Sequence, residues 1–330
     1  MKLNLEQIKS VTTGAAKIDF YDGKYVFSRF NDIEAKIIDH PYVSSPAGIQ
    51  MNFKTDGNIL KLKVQAQKSI DIRSYFSFDV FVDNIPAGTI QNFIDSDCIG
   101  DYANVDYPLG TFQKDFDLKD GDKYVKIHLP HSVTAFIEEI EIVDATYISP
   151  VKNDKTILFY GDSITQGFDS LHPSKSYASQ LAELLNADAI NKAVGGTTFN
   201  PNLVDVSNKI KPDYIVVAYG TNDWNAVDLE TLQKNVKGFL NGIEKNYSGI
   251  PIFVITPLWR PDWREVKKCG EFFNVENTIK EIFGNRENIT VISGFDLIPH
   301  SESIFGDLIL HPSEKGFEHY TNNLLKYFQK

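Results

Sequence analysis

The alternation of apolar and polar positions changes character once along this chain. In the first 150 residues, the runs Ala47–Phe53, Ile59–Val64, Tyr75–Val82, Tyr124–Leu129 and Phe136–Val143 alternate apolar with polar side chains or are rich in β-branched and aromatic residues. A two-residue period sets one face of each run against a core, as in a half-buried strand. Turn signals such as Thr55-Asp56-Gly57, Asp83-Asn84 and Lys119-Asp120-Gly121 punctuate the runs. Apart from a weak candidate near the N-terminus, no long window there carries a helical period. The pattern predicts an antiparallel sandwich of jelly-roll type over residues 1–150.

After the connector Pro150–Asp154 the rhythm becomes one of strands alternating with helices. Buried strands are predicted at Thr156–Tyr160, Ala189–Val194, Tyr214–Tyr219, Ile252–Thr256 and Ile289–Ser293. Between and after them, Tyr177–Leu185, Leu229–Ile243, Val275–Phe283 and Ser313–Phe328 read as amphipathic helices. Such alternation predicts a parallel sheet covered on both faces over residues 151–330. In that architecture ligands bind beyond the carboxyl ends of the strands.

The chain has 330 residues, with 44 Asp and Glu against 33 Lys and Arg, a formal net charge of −11. That balance argues against an extended surface for nucleic-acid phosphates. Cys98 and Cys269 stand alone, with no C-x-x-C pairing, so neither a disulfide framework nor a zinc cluster is indicated and both are expected to be buried thiols. No run approaches the ~18 apolar residues of a membrane span, and the N-terminus has no signal-peptide pattern. The expectation is a cytoplasmic protein, or a secreted one if a leader precedes this sequence. Oligomeric state is not legible.

The predicted strand ends carry polar blocks. Gly161-Asp162-Ser163-Ile164-Thr165-Gln166-Gly167 follows the first strand, Gly195-Gly196-Thr197-Thr198 the second and Gly220-Thr221-Asn222-Asp223 the third. Gly306-Asp307-Leu308-Ile309-Leu310-His311-Pro312 leads into the last helix. Each alone reads as a turn or cap, but four loops on one side of one sheet hold the groups that acyl transfer needs. A serine hydroxyl becomes a nucleophile when a neighbouring imidazole takes its proton, which pairs Ser163 with His311. The resulting oxyanion needs preorganised donors. The Ser163 N–H, a glycine N–H and the Asn222 amide can supply them. Thr165 stands two residues after Ser163, so this is not the Gly-x-Ser-x-Gly elbow.

These blocks resemble those of the SGNH (GDSL-type) hydrolase superfamily over roughly residues 155–330. The resemblance implies a flavodoxin-like α/β/α layer structure, no metal and no cofactor. It implies Ser163 as nucleophile, His311 as base, and Gly196 as the oxyanion glycine in preference to Gly195. Asn222 is then the oxyanion amide, and Asp162 supports the serine turn. The family usually places an Asp three residues before the His, where this chain has Leu308; the nearest acid is Asp307. Either that loop bulges and Asp307 reaches the imidazole, or the enzyme works as a Ser–His dyad.

A β-rich module ahead of such a domain is similar to carbohydrate esterases with an N-terminal jelly-roll. The implied substrate is an O-acylated, most often O-acetylated, carbohydrate or another small ester. Trp224, Trp259 and Arg260 follow strand ends and are candidates for substrate contacts, with a core tryptophan and an Arg260–Asp262 pair as the alternatives. An acyltransferase would share the same first half-reaction. A non-catalytic glycan-binding protein is the reading from another class.

Overall fold

A computed structural model describes residues 1–98, 102–206, 210–284 and 286–329. Two antiparallel sheets are built from residues 12–150. One runs in the order Thr12–Thr13, Gln50–Thr55, Lys123–His128, Ser77–Val82, Ile85–Gln91, with Ile148–Pro150 also on Gln50–Thr55. The other runs Lys17–Tyr21, Lys24–Ser28, Thr134–Val143, Ile59–Gln67, Gly110–Asp117. Met51, Phe53, Val80, Val125 and Ile127 of the first sheet share one core with Leu60, Leu62, Val64, Ile137, Ile140 and Ile142 of the second. The two sheets therefore pack as a sandwich.

The apolar spacing in Phe136–Val143 is explained by a bulge. The register against Ile59–Gln67 shifts between Ile137 and Glu139, so Ile137 and Ile140 both point inward although they are three residues apart. The strands Lys17–Tyr21, Lys24–Ser28, Ile85–Gln91 and Gly110–Asp117 and the short helix Asp32–Ile38 were not legible in the pattern. In Gly110–Asp117 the exposed Lys114 stands between Phe112 and Phe116 on the covered face, which interrupts the alternation a half-buried strand would show.

The second part is a five-stranded parallel sheet, β1 (Lys155–Gly161), β2 (Ala187–Asn191), β3 (Tyr214–Ala218), β4 (Ile252–Ile255) and β5 (Ile289–Ile292), in the spatial order β2-β1-β3-β4-β5. This is a doubly wound order whose switch point lies between β1 and β3. Helices Leu229–Asn246 and Phe272–Phe283 bury Val236, Phe239, Val275 and Ile279 on one side. Tyr177–Leu184 and Glu314–Leu325 bury Leu181, Phe317 and Tyr320 on the other. Within the described residues no helix is long and apolar enough to cross a membrane. Cys269 is buried, but Cys98 is only half-buried, against the expectation for that thiol.

Sandwich and parallel sheet are joined by buried polar contacts. The fully buried Arg29 guanidinium donates to the carbonyls of Ser45 (2.7 Å) and Tyr42 (2.9 Å) in the sandwich part and of Asn191 (3.1 Å) and Ala193 (2.6 Å) at the end of β2 and just beyond it. Burial without a carboxylate partner lowers its pKa to about 9. Lys192 pairs with Glu34 at 2.7 Å, each side chain 2% exposed. Such contacts hold the two parts in one register, because a buried donor or charge is costly unless its partner stays in place.

Candidate active site

At the end of β1 the chain turns into the short helix Ser163–Gln166. Gly161 is required there: a Cβ would lie 2.3 Å from Thr165 Oγ1 and 2.7 Å from the Ala218 carbonyl. Asp162 caps the helix, its Oδ1 accepting the Ile164 N–H at 3.0 Å. Burial pushes the Asp162 carboxyl up to about 7, against the lowering effect of that bond. Ser163 is the first helical residue, so its own N–H has no acceptor within the helix.

Ser163 Oγ lies 2.7 Å from His311 Nε2, across 148 positions of sequence. On the other side of the ring, His311 Nδ1 is 2.6 Å from Asp307 Oδ2. The loop does bulge. Leu308 adopts φ +64, the Gly306 N–H donates to the His311 carbonyl at 2.8 Å, and Phe305 bridges Pro312. The excursion brings Asp307 back under the ring, and its Oδ1 accepts the N–H groups of Ile309 (3.0 Å), Leu310 (2.8 Å) and His311 (3.0 Å). Burial alone would raise the Asp307 pKa, but the His311 bond, the imidazole charge and these N–H groups hold it well below the usual carboxylate range.

The donors around Ser163 are set by two amides. Gln166 Oε1 accepts the Gly195 N–H at 2.8 Å, while its Nε2 donates to Ser45 Oγ (2.9 Å) and the His131 carbonyl (2.6 Å). Gly195 is thereby spoken for, and the N–H of Gly196, at φ +80, has no acceptor among the described residues. Asn222 Nδ2 donates one hydrogen to the Thr197 carbonyl at 2.9 Å, which orients the amide and leaves the second hydrogen without a partner among the described residues. Ser163, Gly195, Gly196, Asn222 and His311 all line one cleft of about 310 Å³. A nucleophile, a base backed by a carboxylate and three donors unpaired among the described residues, meeting in one cleft, can carry out acyl transfer.

The other walls of this cleft come largely from the sandwich part: His40, Pro41, Tyr42, Ile70, Ile72 and Arg73. Arg73 binds Asp169 through Nε–Oδ1 (3.0 Å) and Nη2–Oδ2 (3.3 Å) and brings Nη2 to 3.0 Å from His311 Nδ1. Acceptor groups of Asp169, Asp307 and His311 lie within 4.8 Å of one another, a spacing that could suit a cation. The guanidinium already occupies both Asp169 oxygens, so a metal does not fit this donor set without displacing it.

The three proposed substrate contacts lie elsewhere. Trp224 is fully buried, its Nε1 donating to the Gly270 carbonyl at 2.8 Å, so no substrate reaches it. Arg260 is 8% exposed and held by Asp262 at 2.5 and 2.9 Å, the pairing named as its alternative. Trp259 stacks on His300 at 5.3 Å and on Phe305 at 5.9 Å, outside the cleft walls. Each follows a strand end, but a position just after a strand does not say whether the side chain turns into the cleft or under the loop.

Sequence reading also passed over Gln166, Asp169, His40 and Arg73. Gln166 lies inside the serine block and Asp169 six positions beyond Ser163, so proximity was available as a signal. Arg73 gave none, being 238 residues from His311.

Residues 159–319 match the GDSL-like lipase/acylhydrolase family. Comparison with curated protein sequences gives no match. Solved structures with the same fold include the salicylyl-acyltransferase SsfX3 of a tetracycline biosynthetic pathway (16% identity, 96% of this chain and 93% of that one, TM-score 0.78). A putative GDSL-like lipase from Bacteroides ovatus is similar at 18% identity over 99% and 95% of the two chains, with a TM-score of 0.75. A family two carbohydrate esterase from Clostridium thermocellum, solved in complex with cellohexaose, is similar at 16% identity over 96% and 98%, with a TM-score of 0.67. On the family match and the site geometry together, the part of the chain spanning residues 159–319 belongs to the GDSL-like lipase/acylhydrolase family.

Proposed function

We propose that the protein is a serine esterase that removes small O-acyl groups, acetyl foremost, from a carbohydrate. The observation that carries the reading is the continuous line Ser163 Oγ–His311 Nε2–Nδ1–Asp307 Oδ2, with separations of 2.7 and 2.6 Å. Ser163 Oγ attacks the ester carbonyl carbon as its proton passes to His311 Nε2. Asp307 accepts Nδ1–H and balances the imidazolium charge. The carbonyl oxygen, now an anion, is met by the N–H groups of Ser163 and Gly196 and the free hydrogen of Asn222 Nδ2. Collapse expels the alcohol, which takes the proton from His311. Water, deprotonated by the same nitrogen, then releases the acid and restores Ser163.

The choice of an acylated sugar rests on the likeness of fold to carbohydrate esterases and on a cleft of a size for a small ester. In this reading residues 1–150 are a jelly-roll-like accessory domain and 151–330 the catalytic domain. One observation favours an acyltransferase as the second reading. Pro41, Ile70, Ile72 and Leu310 give the cleft an apolar wall, which favours an apolar acyl or alcohol group over water near Ser163.

Ser163→Ala should abolish turnover of p-nitrophenyl acetate, and unchanged turnover would remove the serine mechanism altogether. A panel of acetylated sugars, run with and without a free alcohol acceptor, separates the two readings. Release of free acetate in both arms supports the esterase; an acylated acceptor as the main product supports the transferase.

A further inference from the structure

Arg73 enters the site from the sandwich part. It sits at φ +57, a left-handed conformation that is uncommon for a side chain of this size. Its N–H is tied to the Ala103 carbonyl at 2.7 Å, and its guanidinium lies 4.9 Å from the centre of the Phe168 ring. The side chain is 8% exposed and its partner Asp169 is fully buried. Among the described residues, the side chains hydrogen-bonded to Asp169 come from the sandwich part. Arg73 takes both carboxylate oxygens, and Tyr75 OH donates to Oδ1 at 2.9 Å while accepting the Asp169 N–H at 2.8 Å. Tyr102 OH donates to the Asp169 carbonyl at 2.5 Å.

The arrangement solves a problem of competition. Two carboxylates face the Nδ1 edge of His311: Asp307 Oδ2 at 2.6 Å and Asp169 Oδ2 at 3.7 Å. An imidazole has one N–H on that edge, and two unopposed negative charges would favour the imidazolium and occupy the lone pair needed to take a proton from Ser163. The Arg73 guanidinium lies between them, with Nη2 also 3.7 Å from Asp307 Oδ2. It neutralises Asp169 and leaves Asp307 as the acceptor. Since Asp307 is so close to Nδ1, that nitrogen carries the hydrogen, and the 3.0 Å approach of Nη2 is a charge contact rather than a donated bond.

We propose that Arg73 is a positioning residue for the reaction at Ser163: supplied by the sandwich part, it neutralises Asp169 so that His311 Nδ1 stays directed at Asp307 and Nε2 at Ser163. The inference rests on the serine esterase reading above. The groups facing His311 are Asp307 from its own loop, Ser163 and Asp169 from the segment after β1, and Arg73 from the sandwich part. His40 and Tyr42 line the same cleft.

The test is the pH dependence of kcat/KM for p-nitrophenyl acetate in Arg73→Met, Asp169→Asn and the double variant, each compared with wild type for melting temperature. With one opposite charge gained or lost beside the imidazole, the acid limb should move by about 1–2 pH units. In Arg73→Met it should move up, with kcat at pH 7 falling about tenfold or more and KM within about threefold. In Asp169→Asn, which leaves Arg73 unopposed, it should move down. The double variant should return it close to wild type. An acid limb unmoved in both single variants overturns the proposal, and so does a loss in Arg73→Met that lies wholly in KM, which would make Arg73 a substrate contact. If Arg73→Met does not fold, the downward shift in Asp169→Asn decides alone. Turnover that survives Ser163→Ala would instead sink the esterase reading, a separate outcome.

Discussion

Replacing Asp307 by Asn separates a triad from a dyad. The amide keeps the shape of the carboxylate, and its oxygen can still accept the three N–H groups of Ile309, Leu310 and His311 that shape the bulged loop. What is lost is a negative charge 2.6 Å from His311 Nδ1, in a pocket where the two side chains are 15% and 9% exposed. A unit charge pair about 4 Å apart at an effective dielectric of about 20 interacts by roughly 4 kcal/mol. Allowing for the exposed edge of Asp307, about 3–4 kcal/mol of stabilisation of the imidazolium-bearing transition state should go, or roughly 10²–10³ in kcat. The assay is the initial rate of p-nitrophenyl acetate hydrolysis at saturating substrate and pH 7–8, with a thermal melt to show that the loop holds. A kcat within about threefold of wild type would refute the charge argument and leave a Ser–His dyad.

The same substitution has a stability signature with a definite sign. The Asp307 pKa is depressed in the folded state, so its contribution is fully present above the unfolded carboxyl value of about 3.9 and is lost as pH falls towards the folded value. Asp307→Asn should therefore flatten the fall in melting temperature below about pH 4.

Asn222→Ala should lower kcat by about 10²–10³ with little change in KM, measured on the same ester; a change confined to KM would argue against an oxyanion role. Asp223 is buried, its Oδ2 has no partner among the described residues, and burial raises its pKa to about 7. The raised value means stability is lost as pH rises from about 4 through 7, so melting temperature should fall between pH 5 and pH 8.5, and less so in Asp223→Asn. Equal slopes in the two proteins would refute this. Lys192→Met, which strands Glu34 in the interior, should cost about 3–5 kcal/mol in denaturant unfolding, and adding Glu34→Leu should recover much of it. A double variant as unstable as the single one would mean that packing, not charge, is at stake there.

The sequence alone determined the arrangement of elements around the parallel sheet. The run at Thr156–Tyr160 lies in β1, that at Tyr214–Tyr219 overruns β3 by one residue, and four of the helices were anticipated within a few residues at each end. Those signals are local, because a periodic apolar stripe and the polar block behind it are properties of neighbouring positions. The preference for Gly196 over Gly195 came from the family resemblance, and Gln166 takes up the Gly195 N–H.

Tertiary structure decided what depends on contacts far apart in sequence. The Leu308 bulge brings Asp307 within reach of the imidazole, and a one-residue excursion is invisible until the loop closes on itself. Packing sent Trp224 under the loop and bound Arg260 to Asp262, emptying the substrate side of both expectations. Above all it brought His40, Ile70, Ile72 and Arg73 to the cleft, residues with no motif around them, through sheets whose pairing is fixed by a shared apolar core. A local pattern can announce a serine, a histidine and their loops. It cannot say which distant side chain completes the site, because only closure of the core sets that distance.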